Sequence, residues 1–224
     1  MAYGIRLEVW GDHACFTRPE FSVERVSYDV ITPSAARGIL ESIFWHPGMR
    51  YVIDRICVLN PVRFTNIRRN EVKSKALSSS VLSYAKSGGE LPYINTRDEI
   101  VQRAAMVLTD VKYVLEAHFE MTDEAKEGDN PGKFADIIRR RLAKGQCYSM
   151  PYFGVREFPA HFKPASKPET YESYYRDEAN HDFGFMLYDM DYTNKDDIRP
   201  MYYRAVMKHG VIDVPSPGSE GVLK

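Results

Sequence analysis

The chain has 224 residues, is 44% hydrophobic and 27% charged, and carries a formal net charge of −1. Those values fit a folded globular chain rather than a disordered one, and the length allows one domain, or two small ones, around a real core. No apolar run approaches the roughly 18 residues that cross a bilayer, no apolar segment of the signal-peptide kind follows the start, and three cysteines (Cys15, Cys57, Cys147) without a CxxC pair argue against a disulfide framework or a thiolate zinc site, so the expected setting is a reducing cytoplasm with no membrane partner.

Residues 3–10 alternate polar and apolar and read as a strand ending at Gly11-Asp12. Residues 33–45 read as a helix: Thr32 is the N-cap, Pro33 takes the first helical position, and Ala36, Ile39, Leu40, Ile43 and Phe44 form its apolar stripe. Pro47-Gly48 stops it, and the β-branched run 51–59 reads as the next strand. The stretch of about 62–103 is rich in Ser, Lys and Arg, includes Gly88-Gly89 and has no sustained period; it reads as a long basic insertion with room for short strands. Residues 111–121 form the clearest strand, with Val111, Tyr113, Leu115, Ala117, Phe119 and Met121 on one face and Lys112, Val114, Glu116, His118 and Glu120 on the other. A second helix is predicted at about 132–144, opened by Asn130-Pro131 and closed by Gly145, with a strand or extended loop at 152–158.

The order β-α-β-insertion-β-α-β is that of a ferredoxin-like domain, shared with RNA-recognition modules, and spans residues 1–158. Beyond it, strand signals at 183–192, 200–208 and 211–214, with a tight turn at His209-Gly210, predict a small antiparallel β subdomain over 159–224. The fold class is therefore α+β. The last residues, PSPGSEGVLK, are expected to fray.

The near-zero net charge hides a segregation. Residues 63–86 hold six basic residues against one acid (+5), and residues 133–144 hold five against one (+4). Residues 169–197 hold nine acids against two bases (−7). A basic arm beside Ser, Asn and Tyr suits a grip on a phosphate backbone, and the same residue types also build a solvated loop. Asp189, Asp191, Asp196 and Asp197 read as a hairpin with a polar turn rather than as a metal site.

Walker A, HExxH, GxSxG and GxGxxG patterns are absent. His118 sits on the polar face of the best strand with Glu116 and Glu120 two residues to either side, about 7 Å away along a strand. A carboxylate at that spacing orients an imidazole for general acid–base work. His46 follows the first helix, as a second titrating group or as a C-terminal helix cation. Two histidines that take and give a proton suffice to cleave RNA without a metal, leaving a 2′,3′-cyclic phosphate and a 5′-OH.

Several stretches occur together in order: GDHACFTRP at 11–19, SYDVITPSAARG at 27–38, ESIFWHP at 41–47, EAHFE at 116–120, GVREF at 154–158 and AVMKHGVI at 205–212. The set resembles the fifth CRISPR-associated (Cas) protein family of subtype I-C, or Dvulg. The resemblance implies a ferredoxin-like domain of the RRM/RAMP type followed by a small β domain. It implies an endoribonuclease that cuts the CRISPR repeat in pre-crRNA with no metal or other cofactor. The product's 5′ handle is then retained as the protein joins the backbone and large subunits of Cascade. The family's proposed catalytic set is a tyrosine, a lysine and a histidine. The histidine falls on His118, the tyrosine position on Phe44 and the lysine position on Glu116. His46 and Lys112 are the candidates to take over the two missing roles. Arg68, Arg69, Lys73 and Lys75 of the arm are the expected RNA contacts, joined by Arg37, Arg139, Arg140, Lys144 and Arg156. Phe44 and Glu116 also fit an alternative: a non-catalytic subunit that binds the 5′ handle as a scaffold.

Overall fold

The computed structural model describes residues 4–21, 23–90, 92–165 and 172–224; Tyr3 of the first expected strand and Glu169 of the acidic stretch lie outside them. In chain order the elements are β1 (Ile5–Ala14), α1 (Pro33–Ile43), β2 (Met49–Val58), β3 (Phe64–Val72), α2 (Ser78–Ser87), β4 (Ile100–Met121), α3 (Pro131–Lys144), β5 (His161–Pro164), β6 (His181–Asp191), β7 (Arg199–Lys208), β8 (Val211–Asp213) and β9 (Val222–Leu223).

Caps set the two long helices. The Thr32 side chain accepts from the Ala35 amide at 3.2 Å, and Asn130 accepts from the Lys133 amide at 2.9 Å. Each such cap is worth about 1 kcal/mol. Gly145 ends α3 in the left-handed region at φ 62°. Each helix turns its stripe onto one sheet: Ala36, Ile39, Leu40 and Ile43 from α1, and Phe134, Ile138 and Leu142 from α3, are buried. The Phe134 ring is the meeting point, 5.9 Å from Phe44 and 6.4 Å from Phe119. Burying a large apolar side chain of this kind contributes about 1.5–3 kcal/mol.

The sheet runs β5-β1-β4-β2-β8-β7-β6, with β3 paired to β4 and β9 to β7. All pairings between these strands are antiparallel, and an isolated bridge from Val26 to Met106 of β4 is parallel. β4 does two jobs in its 22 residues. Its first half, up to Leu108, pairs with β3; its second half lies between β1 and β2. Asp110, with φ 51°, marks the bend between them. Thus the molecule has mixed helix and strand content around a mostly antiparallel sheet, with three helices among the described residues. None of those helices is long and apolar enough to cross a membrane.

Three expectations need correction. β1 does not end at Gly11-Asp12 but continues to Ala14, because Gly11 serves a close approach: a Cβ there would lie 2.9 Å from the Pro159 carbonyl oxygen. The short strands allowed within the insertion are β3 and the first half of β4, with α2 between them, and β3 alternates exposed and half-buried positions without an apolar period. Residues 152–158 form turns with one bridge, Tyr152 to Pro159, and the strand lies later, at β5. The C-terminal tail does not fray, because β9 pairs with Tyr202 and Tyr203 of β7. β8 pairs with β2, so the C-terminal strands lie in the same sheet. The turn between β7 and β8 is as expected: His209 and Gly210 both have positive φ, 50° and 83°, the geometry of a two-residue hairpin turn.

Candidate active site and RNA interface

His118 lies on β4 opposite Val52 of β2, on the sheet face away from the helices. Its Nδ1 is 2.9 and 3.0 Å from the two carboxylate oxygens of Asp54. Asp54 sits at a register shift in β2, where the pairing passes from Ile53 with Ala117 to Arg55 with Glu116. Such a bulge sets two residues against one and re-aims a side chain. The His118 Nε2 is 3.9 Å from Glu120 Oε1, too long for a hydrogen bond, because Arg50 holds the other Glu120 oxygen at 2.7 Å. The imidazole is therefore anchored at one nitrogen and open at the other, with 27% of its side chain exposed.

Glu116 shares this face but is turned away from His118, toward Arg6 at 3.2 Å and Arg55 at 3.8 Å. Lys112 also shares the face, yet six residues along a strand is about 20 Å. Its ammonium is 3.2 Å from Glu8, which Lys163 also meets at 3.0 Å. Burial opposes the charged form of Glu8, but Lys163 and Lys112 together hold its carboxyl below the usual carboxylate range. His46 is placed on the other side of the sheet. Its ring packs 4.9 Å from Phe134, the ring that also meets Phe119, and Phe119 alternates with His118 along β4. The His46 Nδ1 accepts from the Gly48 amide at 3.0 Å and its Nε2 is 3.8 Å from Asp129. So His118 and Glu116 share one neighbourhood, whereas His46 and Lys112 stand outside it. Phe44 is buried beneath Arg141, whose guanidinium is 5.2 Å from its ring and donates to the Ile43 carbonyl.

The expected RNA contacts divide in the same way. Arg37 is held by Asp189 in a two-pronged pair at 2.9 and 3.0 Å and by Glu41 at 2.6 Å, tying α1 to β6. Arg69 pairs with Glu157 and lies 5.7 Å from the Phe158 ring. Arg139 pairs with Asp136 at 2.6 Å on the wet face of α3. Arg68, Lys73, Lys75, Arg140, Lys144 and Arg156 are exposed and make no ion pair among the described residues. The acidic stretch is less free than its composition implies. Asp182 meets Arg204, Asp189 meets Arg37, Asp191 meets Lys224 and Asp197 meets Arg199. The four-aspartate stretch is the end of the β6–β7 hairpin and its loop.

A family model described as CRISPR-associated protein (Cas_Cas5) matches residues 4–215. The chain belongs to this family. Its Cas5 relatives include a protein of Mannheimia succiniciproducens named CRISPR pre-crRNA endoribonuclease Cas5d, 51% identical, with 100% of each chain covered. A protein of the same name from Thermus thermophilus is 36% identical, with 95% of this chain and 91% of that one covered. Among solved structures, a CRISPR-associated protein matches this Cas5 chain with a TM-score of 0.70 at 23% identity, covering 99% of this chain and 96% of that one. A chain of a CRISPR RNA-guided surveillance complex matches at 0.52 and 13% identity, covering 97% and 95%. At those identities the two structural likenesses speak of the fold.

Sequence reasoning missed Asp54, Arg50 and Arg55. Asp54 is the lone acid in the apolar run YVIDRICVL, and an acid in such a run is itself a signal. A cleft of about 840 Å³ is lined by Arg6, Asp54, Arg55 and Glu116 together with Phe119, Ile138 and Leu142.

Proposed function

We propose that this chain is a metal-independent endoribonuclease that cuts CRISPR repeat RNA in pre-crRNA. It then keeps the 5′ handle as a subunit of a type I-C Cascade, beside the backbone and large subunits. The observation that carries the reading is the full-length 51% identity to a protein named for that activity. The site supports it. The open His118 Nε2 takes the proton of a ribose 2′-OH, and the freed oxygen attacks the adjacent phosphorus. The P–O5′ bond breaks and the leaving 5′ oxygen takes its proton from solvent water, giving a 2′,3′-cyclic phosphate and a 5′-OH. Arg50 and Arg55, on β2 either side of Val52, supply positive charge to the phosphate in place of Lys112. His46 and Lys112 serve structure, through Asp129 and Glu8.

The neighbour order β5-β1-β4-β2, with α1 and α3 on one face, supports a ferredoxin-like unit of the RRM/RAMP type. We place its end after Pro164 rather than at residue 158, since β5 pairs with β1. The arm of about 62–103 is its insertion, and β6–β9 form the second unit. RNA lies along the exposed cations Arg68, Lys73 and Lys75 of the arm, and Arg140, Lys144 and Arg156 of the body. The test is repeat RNA incubated with the purified protein in EDTA. Cleavage is expected, and a single 2′-deoxy substitution at the cut site should abolish it. Uncut RNA would refute the enzyme reading, and cutting of the deoxy substrate would refute the 2′-OH route.

A further inference from the structure

We infer that Asp54 is a positioning residue for this cleavage: the β2 bulge brings its carboxylate to the Nδ1 edge of His118 and so keeps the lone pair at Nε2, toward the substrate. The catalytic part rests on the endoribonuclease reading, while the tautomer is a property of the folded protein alone. A carboxylate has no hydrogen to donate. Both Asp54 oxygens lie within hydrogen-bond distance of Nδ1, at 2.9 and 3.0 Å. Nδ1 therefore carries the hydrogen, and the neutral ring has its lone pair on Nε2.

The bulge makes this possible. Asp54 and Arg55 together oppose Glu116, so Arg55 answers Glu116 at 3.8 Å while Asp54 turns to His118. The Asp54 backbone is pinned, its carbonyl accepting from the Val214 amide at 2.9 Å just past β8. The charged groups around the ring are already engaged with one another. On β4, Glu116 faces Arg6 and Glu120 faces Arg50; on β8, Asp213 faces Arg55 at 3.1 Å. Asp54 makes no ion pair among the described residues other than the one with His118. An acid set on an imidazole and on nothing else orients that imidazole.

Two readouts test it. Nitrogen-15 spectroscopy of neutral His118 should show hydrogen on Nδ1 in the wild type and its movement toward Nε2 in Asp54→Ala. Single-turnover cleavage by Asp54→Ala should fall about 10- to 100-fold with RNA affinity unchanged, the scale on which a residue orienting a functional histidine acts. Asp54→Asn, which keeps an acceptor oxygen, should recover part of the loss. Asp54→Ala should cost nothing further in a His118→Ala background. A wild-type Nε2–H tautomer, wild-type cleavage by Asp54→Ala, or a loss that adds to that of His118→Ala would overturn the inference. If the wild type does not cleave RNA, the endoribonuclease reading fails, and the tautomer still decides the Asp54 contact. The wild-type spectrum decides it as well if Asp54→Ala does not fold.

Discussion

Glu8 places one carboxylate between two ammoniums, Lys163 at 3.0 Å and Lys112 at 3.2 Å, on the sheet face that carries His118. Its folded-state pKa lies below the ordinary 4.5, so its stabilisation is present above that value and is lost as the pH falls through the lowered one. Glu8→Gln should therefore lower the melting temperature at neutral pH, and the gap to wild type should close in acid. A gap that persists at acid pH would show that the effect is not the charge. Arg37 makes a second case. It has the composition of an RNA contact, and its helical neighbour Glu41 is visible in sequence as an i,i+4 pair. Asp189 lies 152 residues away and is not, since no local pattern announces that β6 packs on α1. Arg37→Ala should cost about 2 kcal/mol of stability in chemical denaturation, from the charged hydrogen bonds it breaks, and leave RNA affinity intact. A weakened RNA complex with unchanged stability would return Arg37 to the interface. Asp54 and His118 show the same limit: a bulge and a cross-strand contact 64 residues apart leave no periodic trace.

At the scale of elements, what local chemistry fixes could be read and what pairing fixes could not. Both long helices follow from Thr32-Pro33 and Asn130-Pro131 and from 3.6-residue stripes. The second half of β4 follows from its alternation. The arm was legible as charge with room for short strands, and not as a set of paired elements. In β3 the outer positions Asn66, Arg68 and Asn70 are exposed, and the inner positions Arg69 and Glu71 are polar too, so no apolar period marks the strand. Its pairing with β4 makes it an ordered ribbon. The arm's cations then differ in duty: Arg69 is tied to Glu157, and Arg68, Lys73 and Lys75 face solvent. Replacing these three with alanine should weaken RNA binding and lower the slope of log affinity against log salt by about 2, at about 0.7 per phosphate contact with a single strand. Arg69→Ala should change the slope by less and the stability by more. An unchanged slope in the triple variant would make the arm a solvated loop.

Across the whole molecule, the net charge of −1 conceals two exposed basic surfaces and an acidic stretch partly neutralised from within. The arm and α3 belong to the part of the fold that also carries His118. The C-terminal strands extend the same sheet through β8 and lend Asp189 to α1 and the Val214 amide to Asp54. Those contacts brace the C-terminal strands against α1 and β2. On this reading His118, with its open Nε2, is the base that cleaves repeat RNA. The measurement that tests it most directly is single-turnover cleavage of repeat RNA in EDTA by wild type and His118→Ala at saturating protein, with the product ends identified. Wild type should leave a 2′,3′-cyclic phosphate and a 5′-OH, and His118→Ala should lose about 100-fold or more in rate with RNA still bound. Equal rates for the two proteins, or a 5′-phosphate on the product, would contradict it.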